Sequence, residues 1–493
     1  MNTPSLRNLG FIVFLSTAFT FSSVHGQGRY AGAAPAVVPD EDLLAKKAAL
    51  LDQIEPVTGK NDRPPNIVLL FADDLGYADT AVYGSKTIPT PHIDRLAKGG
   101  IRFTDAYVTA ATCSPSRAGL MSGSYQQRFG FEFNTSGAAE THAKHRGLRP
   151  SAITVAEVLQ KAGYATGIFG KWHLGTRDMF NPLNRGFDEF YGFLAGAHSF
   201  FEAKEPQPVY QSILRGSEII SEPEYLTDAI ARETVAFIER NKEKPFFAYV
   251  PFNAVHTPIE AREKYQQRFP DEMDETQRDY NAMTSALDDA VGTIVKALEE
   301  AGLTQNTLII FLNDNGGPMY TGVQSNGELR LGKLFLFEGG VRVPMIVSWP
   351  GQLGSGKVFK GITSSLDIFP TLSAAAGIDL PDALALDGVN ILPFLKGEKK
   401  GNPHRTLFWS NGPNKAMRMG KWKLVKSGAY AWLFDLSKDL GETNNLADEK
   451  PEVLDILQGA LEEWLGEMAP PAWPSKDRRR EFEIDGAIYQ LNI

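Results

Sequence analysis

Cys113 is the only cysteine in 493 residues, so it cannot close an intrachain disulfide. It stands in Thr112-Cys113-Ser114-Pro115-Ser116-Arg117-Ala118-Gly119-Leu120-Met121-Ser122-Gly123. Pro115 and the small and apolar residues behind it suit the first turn and body of a helix, which puts Cys113 at or just before a helix N-terminus. Free backbone N–H groups and the helix dipole favour an anion at such a place. Arg117 lies four residues on, one turn away, and its fork can reach back to the same spot. Taken alone, a lone cysteine is more often a small buried hydrophobe.

Other polar clusters are spread along the chain. Asp73 and Asp74 stand in Phe71-Ala72-Asp73-Asp74-Leu75-Gly76, and Asp314 and Asn315 in Asn313-Asp314-Asn315-Gly316-Gly317. These four offer only oxygen ligands, a set that suits a hard cation such as Ca²⁺ or Mg²⁺ and not zinc. Gly170-Lys171-Trp172-His173-Leu174-Gly175 and His256-Thr257-Pro258 bring cationic and proton-transferring groups. His25, His92, His142, His145 and His404 read as ordinary histidines, with His198 held open as an exception.

The elements around these clusters share one grammar. Continuous apolar runs at 65–72, 164–169, 245–250 and 306–312 read as strands buried on both faces, and each leads into one of the clusters. Helical patterns at 153–162, 224–241 and 276–301 lie between them. Strands alternating with helices imply an α/β fold with a largely parallel sheet. Ligands of such sheets bind beyond the carboxyl ends of the strands, so the clusters are expected to meet in one site. Residues 101–108 alternate in polarity and read as a strand leading to Cys113. Short strands at 405–409, 416–419, 422–425 and 431–434 and a helix at 451–465 predict a small antiparallel sheet with a terminal helix.

Residues 1–26 read as a secretory signal: Arg7, an apolar stretch over 11–21 too short to span a bilayer, and Val24-His25-Gly26 before Gln27. The expected organisation is therefore a signal at 1–26, a linker or strap at 27–62 with a short helix over 40–53, a catalytic α/β domain at 63–395 and a C-terminal α+β subdomain at 396–493. The mature protein is expected to be periplasmic or secreted, without a membrane anchor. A net charge of −9 gives no global attraction for nucleic acid, so an anionic substrate must meet a local basic cluster.

Cys-x-Pro-x-Arg followed by Ala-Gly-Leu-Met-Ser-Gly resembles the signature of the formylglycine-dependent, type I sulfatases, a family of the alkaline phosphatase superfamily. Phe-Ala-Asp-Asp-Leu-Gly and Asn-Asp-Asn-Gly-Gly are similar to that family's metal motifs, and the resemblance covers most of the chain. Lys171, His173, His256 and Lys333 match family positions, the last within Arg330-Leu331-Gly332-Lys333. There the family often has Arg-Gly, and this chain has Arg330-Leu331-Gly332. The resemblance implies an alkaline-phosphatase-like fold. It implies that a formylglycine-generating or radical-type maturing enzyme oxidises Cys113 to Cα-formylglycine, whose hydrate is the nucleophile. The metal would be Ca²⁺, or Mg²⁺, on Asp73, Asp74, Asp314, Asn315 and the modified residue 113. A thiol is a soft ligand that mismatches a hard cation, whereas the hydrate supplies oxygen. Arg117 and Lys171 would favour the ionised hydrate, and Lys171 and Lys333 would neutralise the sulfuryl oxygens. His256, with Lys333, would protonate the leaving oxygen and His173 would deprotonate the hydrate's second hydroxyl.

The leaving group is read from Gln126-Gln127-Arg128-Phe129-Gly130-Phe131-Glu132-Phe133-Asn134, which mixes aromatic and charged residues as a sugar site does, and from 196–216 with His198, Phe200, Phe201 and Lys204. The first stretch resembles bacterial polysaccharide sulfatases, the second is expected to line the same pocket, and Arg128, His198, Lys171, His256 and Lys333 are the expected substrate contacts. The alternatives are an aryl sulfatase, a phosphate or phosphonate monoester hydrolase of the same superfamily, and a secreted glycan binder in which Cys113 stays a thiol.

Overall fold

A computed structural model describes residues 39–57, 63–135, 146–205, 207–475 and 479–492, all within the second of two units, 34–493. The signal expected at 1–26, and His25, His142 and His145, lie outside the described residues. The strands in chain order are β1 (Asn66–Ala72), β2 (Ile101–Phe103), β3 (Ala106–Tyr107), β4 (Ala165–Lys171), β5 (Glu189–Phe193), β6 (Leu214–Arg215), β7 (Glu218–Ile219), β8 (Phe246–Pro251), β9 (Thr307–Asn313), β10 (Met345–Ser348), β11 (Lys357–Phe359) and β12 (Thr363–Ser364). Ten of them form one sheet among the described residues, in the order β11-β2-β10-β9-β1-β8-β4-β5-β6-β7. Its centre, β9-β1-β8-β4-β5, is parallel throughout.

Every residue of β1, β4, β8 and β9 is buried, as runs apolar on both faces require. Side chains of β1 alternate between two cores: Ile67, Leu69 and Phe71 enter one, Val68, Leu70 and Ala72 the other. Helices Leu226–Asn241 and Glu275–Glu300 cover the second face. Helices Cys113–Ser122 and Val155–Lys161 pack in the core of the first. In register, Phe71 lies beside Pro251 on one side and Leu312 on the other, so Asp73, His256 and Asp314 leave the sheet at one edge.

The single strand expected over 101–108 is corrected to two. It breaks at Thr104-Asp105, and β2 joins the large sheet while β3 pairs with β12 in a separate ribbon. The break has a polar cause: Arg342 and Arg418 both reach the Asp105 carboxylate, and Arg342 Nε donates to the Thr104 carbonyl.

Strands β13 (Thr406–Asn411), β14 (Asn414–Met419), β15 (Trp422–Ser427) and β16 (Tyr430–Asp435) make an antiparallel meander against helix Pro451–Gly466. A final hairpin, β17 (Arg479–Ile484) and β18 (Ala487–Asn492), follows. No helix of the described residues is long and apolar enough to cross a membrane.

Candidate active site

Six segments converge at the carboxyl edge of the sheet. Asp73 and Asp74 follow β1, and Asp74 takes a left-handed φ of 62°. Lys171 is the last residue of β4, and His173, two further on, is also left-handed at 58°. His256 follows β8, in a turn where its N–H donates to the Asn253 carbonyl at 2.9 Å. Asp314 and Asn315 follow β9. Cys113 is the first residue of its helix, with Thr112 extended before it and making no side-chain cap. The open N–H of Ser114 donates instead to Asn134 Oδ1 at 3.1 Å. Lys333 comes from the loop after β9, its N–H on the Gly317 carbonyl.

The Cys113 sulfur lies 3.6 Å from Asp73 Oδ1 and 3.9 Å from Asp74 Oδ1. Lys171 Nζ reaches Asp73 at 2.6 Å and Lys333 Nζ reaches Asp74 at 2.7 Å. The Arg117 fork grips Asp314 at 2.8 Å, donates to the Lys171 carbonyl at 2.9 Å and lies over the Phe71 ring. Asn315 Nδ2 donates to Asp74 Oδ1 at 2.7 Å, and His256 Nε2 stands 3.5 Å from Asp74 Oδ2. Three carboxylates thus meet three cations, all of them buried. Their charges cancel, so a dication is accommodated only together with anions, such as an ester sulfate and an ionised nucleophile.

Within the cluster the three carboxylates are not equivalent. Burial, and next to it Asp314, push Asp73 well above the usual carboxylate range. Burial would raise Asp74 too, but Lys333 and His256 outweigh it and hold Asp74 low. Asp314, likewise opposed by burial, is held low by Arg117. Burial and Asp314 raise the Cys113 thiol, which disfavours a thiolate here. Burial and then Lys171 push His173 well below the ordinary histidine value, and burial and Lys333 lower His256.

The residues fit a hard cation. Ligand atoms of Asp73, Asp74, Cys113 and His256 lie within 4.8 Å of one another, and the Asp74 N–H brings in a third carboxylate by donating to Asp314 Oδ1 at 3.2 Å; the set is oxygen-rich once residue 113 offers oxygen in place of sulfur. Asn315 Oδ1 is buried without a hydrogen-bond partner, an acceptor that a cation would satisfy. His173 Nδ1 is likewise buried and unpartnered.

Two expected substrate contacts, Arg128 and His198, lie outside the cluster of buried charges. The Arg128 fork is taken by Asp387, at 2.8 and 2.7 Å, and by Glu467 at 3.3 Å, so it ties the chain's later elements together. His198 packs on Phe193 and lines a cavity of about 720 Å³ with Phe201, Lys204, Gln211 and Pro258. That volume lies within the range of roughly 300–1,000 Å³ usual for small-molecule sites. Pro258 is two residues from His256, and a Cβ at Gly196 would come within 2.6 Å of the His173 ring, so this cavity borders the cluster. Leu331, where a glycine was expected, is left-handed at φ 59°, and its carbonyl accepts from Asn326 Nδ2 at 2.8 Å. The residue that sequence reasoning missed is Asn134: it lies inside the aromatic run, but nothing local marks it as the cap of a helix 20 residues back.

Comparison with known proteins follows the same lines. The sulfatase family model matches residues 65–378, and a model of the N-sulphoglucosamine sulphohydrolase C-terminal region matches 327–469. Human arylsulfatase A is 35% identical over 453 residues, 80% of this chain and 87% of that protein. Human N-acetylgalactosamine-6-sulfatase is 34% identical over 369 residues, 71% of this chain and 69% of that protein. Among solved structures, Ps i-CgsB, also solved in complex with k-i-k-neocarrahexaose, superposes with a TM-score of 0.77 at 36% identity, over 83% of this chain and 95% of that one.

Proposed function

This chain belongs to the sulfatase family and is a sulfuric ester hydrolase, and from that premise we propose that it releases sulfate from a sulfated carbohydrate, using Cα-formylglycine formed at Cys113. The observation that carries the nucleophile is Cys113 itself, first in its helix and facing Asp73 and Asp74 inside a cluster of balanced charge. Formylglycine, once formed by a maturing enzyme, would supply a hydrated aldehyde oxygen where a thiolate is disfavoured. Asp73, Asp74, Asp314 and Asn315 would hold Ca²⁺, or Mg²⁺ in its place, and such an ion supplies charge stabilisation to oxygen anions.

The chain's own residues divide the remaining work. Lys171 and Lys333 offer their ammonium groups to the sulfuryl oxygens as charge builds there. Arg117 fixes Asp314 and the Lys171 carbonyl, and so holds the acidic and basic halves in register. His256, on the open side of Asp74 and 14% exposed, is placed to give a proton to the departing sugar oxygen. His173 is buried with Nδ1 unpartnered, and in this reading it takes a proton from residue 113 when sulfate leaves.

Sugar recognition is supported by the cavity beside His198, and by the N-acetylgalactosamine-6-sulfatase and neocarrahexaose relatives. Export to the periplasm or outside the cell rests on the signal read at 1–26. The test is sulfate release from a panel of sulfated oligosaccharides by protein produced with and without a maturing enzyme, alongside mass spectrometry of the Cys113 peptide. Turnover is expected to track the aldehyde; full turnover with an unmodified thiol refutes the nucleophile.

A further inference from the structure

Beyond the cluster, the chain leaving Asn315 makes one feature that the chemistry so far does not use. Met319–Thr321 is a single 3-10 turn, closed by Gly322 at φ 77°, and it holds Met319 52% and Tyr320 56% exposed. Isolated apolar residues on a surface need no explanation. These two are adjacent, and they sit on a turn anchored to the catalytic loop. The Gly317 N–H donates to Asn326 Oδ1 at 3.0 Å, Asn326 Nδ2 donates back to the Gly317 carbonyl at 2.9 Å, and the Lys333 N–H donates to that same carbonyl at 3.2 Å. Thr321 Oγ1 closes the turn on the Pro318 carbonyl at 3.0 Å. The loop that carries Tyr320 is therefore tied to the Lys333 backbone at Gly317, three residues before the tyrosine.

Its phenol belongs to the same electrostatic neighbourhood. Partial burial pushes it up to about 12, Lys333 pulls the other way, and Asp74, Cys113 and Asp73 are the next groups it senses. Tyr320 thus lies five residues past Asn315 and within the field of the reacting groups, while much of the residue stays open to solvent. A pyranose carries polar edges and an apolar C–H face, and a rigid aromatic ring with a polar tip complements both at small entropic cost.

We propose that Tyr320 is a specificity-determining residue of this enzyme: its exposed ring is the platform on which the sugar of the sulfate ester stacks, while the sulfate sits among Lys171, Lys333 and His256. This rests on the carbohydrate reading above. It assigns discrimination between leaving groups to a residue other than Lys171, Lys333 and His256, which separates recognition of the sugar from neutralisation of the sulfate.

The experiment compares Tyr320→Ala and Tyr320→Phe with the wild-type enzyme on the sulfated saccharide that the wild type turns over fastest. Inhibition by inorganic sulfate, which has no leaving group, is measured in parallel. Tyr320→Ala is expected to raise KM about three- to tenfold, with kcat and the inhibition constant for sulfate each within about twofold of wild type. Tyr320→Phe, which keeps the ring, is expected to stay near wild type. An unchanged KM in the alanine variant overturns the platform. So does sulfate inhibition weakened by the same factor as KM, since the turn would then act through Lys333. A phenylalanine variant as impaired as the alanine one also overturns it, because the hydroxyl and not the ring would carry the effect. A wild-type enzyme that cleaves aryl sulfates and no sulfated saccharide refutes the carbohydrate reading itself, a result distinct from all three.

Discussion

Arg117 has no exposed surface, yet it carries a full charge, and that is sustainable only because Asp314 and Asp73 surround its fork. Removing one partner of a buried ion pair leaves the other charged and unsolvated, at a cost of about 3–5 kcal/mol. Arg117→Ala is therefore expected to lower stability by that order in denaturant unfolding and to abolish turnover. Arg117→Lys should also fail, since an ammonium cannot hold Asp314 and the Lys171 carbonyl at once. His256 makes a prediction of a different kind. An activated phenolate departs without help, whereas a sugar alkoxide needs a proton, and general acid catalysis is worth about 10²–10⁴-fold when it is needed. Burial and Lys333 lower His256, and an anionic ester beside it acts in the opposite sense. His256→Ala should depress kcat on a sulfated sugar far more than on nitrophenyl sulfate; equal losses on both would make His256 a sulfate-binding residue instead. Cys113, Asp73, Asp74 and Asp314 were legible in sequence because each stands at the end of a local pattern. The partners of Arg128 were not, because Asp387 and Glu467 lie 259 and 339 residues further along.

At the scale of the element, the helix that starts at Cys113 depends on a borrowed cap. Thr112 makes no side-chain cap, and Asn134 Oδ1 takes the Ser114 N–H in its place. Loss of a cap costs about 1 kcal/mol. Asn134→Ala should show that drop in thermal unfolding together with reduced kcat, whereas Asn134→Asp should restore most of both. A close approach disciplines His173 in the same way. A Cβ at Gly196 would stand 2.6 Å from two atoms of the His173 ring, so Gly196→Ala should displace the ring and slow sulfate release while leaving the fold intact by circular dichroism. The central strands were legible because unbroken apolar runs such as Ile67-Val68-Leu69-Leu70-Phe71 fit few other structures. The hairpin β17–β18 was not, because Arg479-Arg480-Glu481-Phe482-Glu483-Ile484 is mostly charged. Its signal was Asp485-Gly486, both left-handed, a two-residue turn of the kind that closes hairpins. The hairpin matters to the site: the Tyr489 hydroxyl accepts from the Leu336 N–H at 3.1 Å, three residues past Lys333.

Across the whole described molecule, the large sheet and the later meander are joined by one buried ionic network. Lys423 on β15 lies 2.7 Å from Glu338 and 3.5 Å from Glu442, and Glu338 also holds Arg342 and accepts from the Tyr107 hydroxyl. Such a network has no local sequence signature, since its members are drawn from four distant segments. It makes stability depend on pH in a definite direction. Burial would raise Glu338, but Lys423 and Arg342 win and bring it down to about 2, so its favourable contribution is complete above about pH 5 and constant from there. Glu442 goes the other way. Burial dominates, and it is pushed up to about 8 from an ordinary 4.5. The folded protein then keeps a proton that the unfolded chain releases above about pH 4.5, so stability falls as pH rises from there to about 8 and is flat beyond. The fall is at most about 1.4 kcal/mol per pH unit for one such proton. Glu442→Gln removes the titration while keeping an oxygen for the Glu338 N–H, which donates to Glu442 Oε2 at 2.7 Å. Denaturant unfolding at pH 5, 6, 7 and 8 separates two effects. Any constant offset between variant and wild type reports the amide's fit beside Lys423, whereas a difference that grows in the variant's favour with pH reports the buried proton. Parallel curves over that window would show that Glu442 is ionised in the folded protein, with Lys423 shared evenly between it and Glu338.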